Sequence, residues 1–152
     1  MRGQHRFLRT KGGITSFAWV EVDATPQAQA GVAVAEELPE KPNTDAGEMN
    51  RRFVPDWVDA AVDGIKVAGQ YMQSFRTVPM GWQLTLVKLV GTGIETRADA
   101  VRCAAAKATQ AAMMAAYSWE APPPPLEVVY KAGKWTIEPA APSTVGVQGT
   151  AS

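Results

Sequence analysis

Two predicted helices of equal length constrain the fold of this chain more than any other feature. Pro55 suits the first position of a helix, and apolar residues then recur at steps of three and four as far as residue 75. They are Val58, Ala61, Val62, Ile65, Ala68 and Met72. A second helix is predicted over 97–117, where alanines form a small-residue stripe and Thr96 with Asp99 predicts a capping box. Each helix would be about 30 Å long and needs a surface that buries its stripe.

The first helix contains two glycines, Gly64 and Gly69. Each lowers helix propensity by about 1 kcal/mol relative to alanine. This cost is offset when the absence of a side chain lets the helix backbone pack closely against a neighbouring element. We therefore expect a close approach to the sheet at both positions.

An N-terminal hairpin is predicted from two strands and a glycine turn. Residues 6–10 are typical of a short strand, and Gly12 with Gly13 indicates a turn. In 17–25, small or branched residues at even positions alternate with Trp19, Glu21 and Asp23 at odd ones. This period of two predicts a half-buried strand paired with the first.

Residues 82–90 form the strongest strand pattern in the chain. Trp82, Leu84 and Leu86 would lie on one face, and Thr85, Val87 and Leu89 on the other. Apolar residues on both faces indicate a central strand. Weaker strands are predicted over 31–36 and 48–53, and a further short one over 126–130 after four prolines.

The order of these elements predicts an α+β fold. We expect a two-layer sandwich, with a mostly antiparallel sheet of about four strands and two long helices on one face. The predicted domain spans 1–127. Residues 128–152 would be a C-terminal extension that is partly flexible, with the final dozen residues mobile.

Catalytic chemistry is not indicated. His5 is the only histidine and Cys103 the only cysteine, and Cys103 lies among alanines where a buried thiol is expected. The acidic pairs Glu36–Glu37 and Asp59–Asp63 are typical of solvated surface. The sequence therefore predicts a non-enzymatic protein with no cofactor and no metal site. No apolar run is long enough for a membrane span and no secretory signal is evident, so we expect no membrane association and a cytoplasmic location.

The charge distribution is uneven although fifteen basic and fifteen acidic residues cancel overall. Residues 1–20 contain Arg2, Arg6, Arg9 and Lys11 and no acidic residue. Such a stretch, with Phe17 or Trp19 as stacking partners, could contact phosphates and bases of RNA. The alternative is that these charges only keep a strand edge soluble and unpaired.

Five tryptophans are many for this length. Trp57 and Trp82 fall on apolar patterns and are expected in the core. Trp19 and Trp119, if exposed, would be anchors for a protein partner or a homo-oligomer. Packing of the C-terminal segment over the sheet explains them equally well.

Five further motifs follow one another along the chain. They are FLRTKGG at 7–13, VEVDATP at 20–26, FVPDW at 53–57, the segment 84–93 with the helix after it, and PLE at 125–127. In this order and spacing, they resemble the fourth domain of elongation factor G and elongation factor 2, whose fold is shared with the second domain of ribosomal protein S5. The resemblance extends from about residue 7 to 127, with 27–50 poorly matched.

The resemblance implies a non-catalytic domain that enters the ribosomal decoding site as a wedge and touches RNA with two tip loops. By position these loops would be 12–19 and 91–95. The chain departs from the family there: Ile14, Thr15 and Ser16 follow the glycines, and Ile94 stands where the family has a histidine. The scaffold glycines remain while the groups that would hydrogen-bond RNA are replaced.

Two hypotheses follow, and a small-molecule enzyme is the least supported third. The first is a stand-alone relative of the translocation domain that binds ribosomal or other RNA or a ribosomal surface through its loops. The second is a protein-interaction or self-associating module that retains only the fold. The residues predicted to contact RNA or a partner are Arg6, Arg9, Lys11, Gly12, Gly13, Phe17, Trp19, Gly91, Thr92 and Gly93.

Overall fold

The computed structural model describes residues 1–76 and 80–140. Eight main elements and one short 3₁₀ turn, Thr44–Ala46, follow one another along these residues. In chain order they are β1 (Arg2–Lys11), β2 (Ile14–Gln27), β3 (Gly31–Glu36), α1 (Pro55–Gln73), β4 (Gly81–Val90), α2 (Ala98–Ala116), β5 (Leu126–Lys131) and β6 (Lys134–Pro139).

The main sheet has four strands in the order β1-β2-β4-β3. β1 pairs antiparallel with β2 and β2 pairs antiparallel with β4, whereas β3 pairs parallel with β4. β4 is therefore a central strand, as its sequence predicts, and β1 and β3 are the edges. The predicted α+β sandwich with a mostly antiparallel sheet of four strands is confirmed. β5 and β6 form a separate antiparallel hairpin.

Both helices cover the same face of the sheet, which confirms the predicted layers. The small residues allow this close packing: a β-carbon on Gly3 of β1 would overlap the α2 backbone at Ala108 and Ala112. Gly69 of α1 faces Leu84 and Val32 of the sheet, as predicted, but Gly64 faces the backbone of α2 at Arg102. The expectation that Gly64 approaches the sheet is wrong, because two helices that share one face also contact each other.

A β-bulge changes the predicted alternation of β4. Glu21 is opposite Lys88, but the next residue of β2, Val22, is opposite Leu86, so Val87 is the extra residue. The bulge brings Leu89 to the helix-covered face, where it is 1% exposed. The prediction that Leu89 lies on the other face from Leu86 is therefore wrong, because a bulge shifts the period by one residue.

The predicted strand over 48–53 is also wrong. Glu48 makes a single bridge to Val90, and the chain then turns. The side-chain oxygen of Asn50 accepts hydrogen bonds from the backbone N–H groups of Arg52 and Phe53, at 3.1 and 3.3 Å. An asparagine that satisfies the following N–H groups favours a turn over a strand.

The predicted capping box of α2 does not form. Arg97 is the N-cap residue and makes no side-chain capping bond. The Thr96 hydroxyl instead donates to the carbonyl of Phe17 at 2.7 Å, and Asp99 Oδ2 accepts from the backbone N–H of Trp135 at 2.8 Å. Hydrogen bonds to residues distant in sequence thus replace the predicted local cap, and the helix begins at Ala98.

The β5–β6 hairpin packs beside β1 and α2. The rings of Phe7 and Trp135 meet edge to face with centroids 5.5 Å apart, and Lys107 Nζ donates to the carbonyl of Leu126 at 2.7 Å. β5 begins one residue before the domain end predicted at 127, and that boundary stays a prediction. Residues 141–152, for which mobility is predicted, lie outside the described residues.

The buried core lies between the sheet and the two helices. Its largest fully buried side chains are Trp82, Phe7, Ile65, Met72, Leu84, Leu86, Leu89, Met113, Val20, Val22, Val58 and Val101. Trp57 and Trp119 pack against this core and are partly exposed. Among the helices described, none is long and apolar enough to cross a membrane.

Candidate functional site

The face of the sheet opposite the helices, here called the open face, carries paired aromatic and basic side chains. Phe17 and Trp19 lie two residues apart on β2 and are both partly exposed. The Arg6 guanidinium carbon lies 5.6 Å from the centre of the Phe17 ring, and Lys88 Nζ lies 4.8 Å from that of Trp19. Both separations allow cation–π attraction. The open face therefore presents two flat rings, each next to a positive charge.

A groove of about 680 Å³ lies beside these rings. One wall is the segment around the 3₁₀ turn and the other is the end of β4. Its lining residues are Arg6, Phe17, Trp19, Thr44, Asp45, Ala46, Gly47, Met49, Val90, Gly91, Thr92 and Gly93. The lining is mostly apolar side chains and glycine backbone, which leaves room for a flat ligand against the rings.

The 3₁₀ wall is held to the sheet by main-chain hydrogen bonds. Asn43 Oδ1 accepts from the N–H of Ala46 at 3.4 Å, and Gly47 ends the turn with φ 82°. The carbonyl of Gly47 accepts from the N–H of Gly91 at 3.0 Å. A glycine fits this left-handed position with little strain, so the wall lies at a fixed distance from β4.

The second predicted tip loop, residues 91–95, is fixed to β2. Thr96 Oγ1 accepts from the N–H of Thr92 at 2.8 Å and donates to the carbonyl of Phe17 at 2.7 Å. The N–H of Phe17 in turn donates to the carbonyl of Glu95 at 3.0 Å. Because one buried hydroxyl joins loop and strand, the loop is positioned before any ligand binds.

The two cations of the site differ in their surroundings. Lys88 Nζ lies between carboxylates of Glu21 and Glu48, at 3.8 and 3.9 Å. Within 1–76 and 80–140, no carboxylate lies within ion-pair distance of Arg6, and Asp45 is the acidic residue that lines the groove. Arg6 is thus the positive charge most available to an anionic ligand.

Arg9 and Lys11, which the sequence groups with Arg6, lie on the other side of the sheet. Arg9 lies beside Leu126 of the C-terminal hairpin, and Lys11 Nζ lies 5.7 Å from the centre of the Tyr130 ring. The structure therefore separates the predicted basic residues into two groups on opposite faces of β1.

The first predicted tip loop, 12–19, is only a two-residue turn. Gly12 and Gly13 have φ of 59° and 79°, the geometry of a type I′ hairpin turn, and Ile14 already pairs with Lys11. The loop prediction is wrong because residues 14–19 belong to β2. Gly12 and Gly13 lie at the hairpin tip, while Phe17, Trp19, Gly91, Thr92 and Gly93 come together at the groove.

Sequence reasoning missed Lys88 and the wall formed by 44–47. The bulge at Val87 reverses the alternation, so Lys88 could not be assigned to the open face from the pattern alone. The glycine and asparagine content of 43–47 was a turn signal, but nothing in it indicated which strand end the turn approaches.

The residues with catalytic potential do not line this groove. Burial lowers the pKa of His5, and Lys107 and Arg9 lower it further. Burial, with a smaller contribution from Asp99, raises the pKa of the Cys103 thiol to about 12. Across the described part of the chain, no group of three or more histidine, cysteine or acidic side chains could hold a metal ion.

Comparison with known proteins supports the fold and goes no further. No family model matches the chain, and no curated protein is significantly similar to it. A crystal structure of a protein from Thermus thermophilus is similar with a TM-score of 0.52 and 18% identity. The match covers 71% of this chain and 14% of that one. This chain thus has the fold of one small part of a much longer protein.

Proposed function

We propose that this chain is a non-catalytic module that binds single-stranded RNA on the open face of its sheet. The observation that supports it best is the pair Phe17 and Trp19, each with a basic group over its ring, beside a groove with little charge. Side chains two residues apart on a strand are separated by about 7 Å. Two consecutive unstacked bases could therefore each lie against one ring, and each stacked base contributes about 1–3 kcal/mol.

Arg6 would contact the phosphate between the two bases. Arg6 lies opposite Trp19 in the β1–β2 register, and its guanidinium lies over the Phe17 ring. A base that stacks on this face of Phe17 would displace the guanidinium towards the neighbouring phosphate. Contacts to phosphate position a nucleic acid without reading its sequence. We therefore expect weak base preference and strong dependence on salt.

Kinship with the fourth domain of elongation factor G is part of this proposal. The motif order resembles that family, but the ligand would lie on the sheet and not on the loops, since the family's loop groups are replaced at Ile14, Thr15, Ser16 and Ile94. Ribosomal RNA is the corresponding partner, and a cytoplasmic location accords with it.

The test is fluorescence anisotropy with a labelled ten-nucleotide uridine RNA at several salt concentrations. Trp19→Ala should weaken binding about 5–150-fold, corresponding to the loss of one stacked base. Arg6→Gln should reduce the slope of affinity against salt by about one phosphate contact. The matched control is Phe75→Ala, which removes a partly exposed aromatic ring at the end of α1 that does not line the groove. Equal affinities of the wild type and Trp19→Ala, or no binding at low salt, would refute the proposal.

A second candidate is a protein-interaction or self-associating module. It is favoured by three exposed aliphatic residues around the same end of the hairpin: Leu8, Ile14 and Ile94 are 53%, 52% and 92% exposed. Leu8 lies on the open face, whereas Ile14 lies on the opposite face with Lys11. Ile94 is the most exposed of the three, and an exposed apolar side chain of this kind can anchor a protein contact. Sedimentation equilibrium discriminates: a concentration-dependent mass that Ile94→Ser abolishes, with no RNA affinity, would support this candidate.

A further inference from the structure

The outer edge of β1 has a regular row of unpaired main-chain groups. Met1 and Ala24 exchange two hydrogen bonds, at 2.9 and 2.8 Å, which fixes the phase of the β1–β2 ladder. Because bonded pairs alternate in an antiparallel ladder, every second residue of β1 directs its N–H and C=O away from β2. These residues are Arg2, Gln4, Arg6, Leu8 and Thr10. Within 1–76 and 80–140, no other strand pairs with this edge.

A trough runs along this edge on the helix side. It consists of two depressions of about 350 and 380 Å³ that share Lys107 and Pro125. Residues of β1, namely Gln4, His5 and Arg9, line one side, and Pro123 with residues 125–128 lines the other. An extended chain could lie in the trough and still reach the main-chain groups of β1.

The charge of the trough is positive. Lys107 Nζ donates to the carbonyl of Leu126 at 2.7 Å, and that carbonyl does not neutralise its charge. Arg9 lies in the same depression, and the carboxylate that lines it is Glu127. Lys11 follows on the same face of β1, and Arg6 lies on the other face of the strand. An occupant with acidic side chains would meet cations on both of its faces.

The opposite edge of the sheet differs in length and charge. β3 has six residues against ten in β1 and ends in Glu36, which Arg51 already holds through hydrogen bonds of 2.9 and 3.1 Å. An acidic strand is therefore complementary to β1 and not to β3.

We propose that the β1 edge binds an extended acidic segment of a partner protein, which adds to the sheet as a fifth strand. Main-chain hydrogen bonds supply affinity in strand addition, and alternate side chains supply specificity. A second copy of β1 would bring Arg2, Arg6, Arg9 and Lys11 against the same residues, which opposes self-pairing. This site shares Arg6 with the RNA groove, but it is formed by the main-chain groups of β1 and does not depend on the RNA proposal.

The probe is a labelled ten-residue peptide of alternating threonine and glutamate, with alternating threonine and lysine as its charge control. Leu8→Pro removes one outward N–H, and proline is tolerated where the N–H of an edge strand faces solvent. We expect Leu8→Pro to weaken binding of the acidic peptide about tenfold or more. Leu8→Thr, which keeps the N–H, should bind within about twofold of the wild type.

A second readout locates the peptide and covers the case in which Leu8→Pro fails to fold. Backbone amide exchange followed by NMR should show new protection at Arg6, Leu8 and Thr10 and none at Phe7. Arg9→Glu should weaken the acidic peptide and strengthen the lysine peptide.

Three results would overturn the proposal. One is equal binding of the acidic and lysine peptides, and another is protection confined to residues outside β1. The third is a wild-type dimer that Leu8→Pro dissociates, which would make a second copy the occupant of the edge.

Discussion

Gly64→Ala tests the close contact between α1 and α2, on which the single helical layer depends. A β-carbon at position 64 would overlap the carbonyl oxygen of Arg102 and lie 3.1 Å from its carbonyl carbon and 3.3 Å from the β-carbon of Ala105. Backbone atoms of a packed helix cannot rotate away, so the two helices must separate. Overpacking of this kind costs about 1–3 kcal/mol, and a backbone clash belongs at the upper end of that range.

The helix propensity of alanine opposes this cost. Alanine is favoured over glycine in a helix by about 1 kcal/mol, so the net loss of unfolding free energy at Gly64 should be about 1–2 kcal/mol. For a chain of this size that corresponds to a melting temperature lower by about 2–8 °C. Urea unfolding followed by tryptophan fluorescence measures the difference directly.

Gly69→Ala is the matched control in the same helix. Its β-carbon would lie 2.7 Å from Leu84 Cδ1 and 3.0 Å from Val32 Cγ1, which are ends of side chains that can shift. The propensity gain should then offset most of the steric cost and leave stability within about 0.5 kcal/mol of the wild type. A Gly64→Ala protein at least as stable as the wild type would refute the α1–α2 contact.

Three further predictions concern buried groups. Because burial lowers the pKa of His5 below its usual 6.5, the unfolded chain binds the proton more tightly. Stability should therefore be complete well above pH 6.5 and fall as the pH drops below 6.5, and His5→Gln should remove this dependence in urea titrations. With its pKa raised to about 12, Cys103 should react with a thiol reagent at about pH 8 only as fast as the protein unfolds, and rapid labelling of the native protein would contradict its burial. Thr96→Val should lower the unfolding free energy by about 1–3 kcal/mol because the Phe17 carbonyl and the Thr92 N–H lose their shared partner, whereas Thr96→Ser should retain most of the stability by the same measurement.

The elements that the sequence predicts correctly are those with a sustained period. The apolar stripe of α1 and the alanines of α2 each repeat over at least two helical turns, and the alternation of 17–25 repeats over four pairs of residues. All three segments form the predicted elements. The failures occur where one interaction overrides the local pattern. The Asn50 side chain stabilises a turn where the sequence predicts a strand. The Thr96 hydroxyl donates a hydrogen bond to the Phe17 carbonyl instead of capping the start of α2.

The sequence is enough to assign Arg6 and Arg9 to opposite faces of β1, but it is not enough to assign Lys88 to a face of β4. Arg6 and Arg9 are separated by an odd number of positions, so in any continuous strand they must lie on opposite faces. The alternation alone therefore separates them once the strand is known to extend through both. By contrast, the place of Lys88 depends on a bulge at Val87, which no periodic pattern predicts.

Ligand binding is expected on the open face and at the β1 edge because other elements cover the opposite face of the sheet. Two helices and the β5–β6 hairpin cover one face, and the core residues of β2 all point to that side. The groove beside Phe17 and Trp19 is bounded by a loop that Thr96 fixes and by a 3₁₀ wall bonded to Gly91. Since neither boundary has to be ordered on binding, a ligand there would lose little affinity to conformational entropy. A short site with only two stacking rings needs this preorganisation, because two bases supply only about 2–6 kcal/mol before the cost of association.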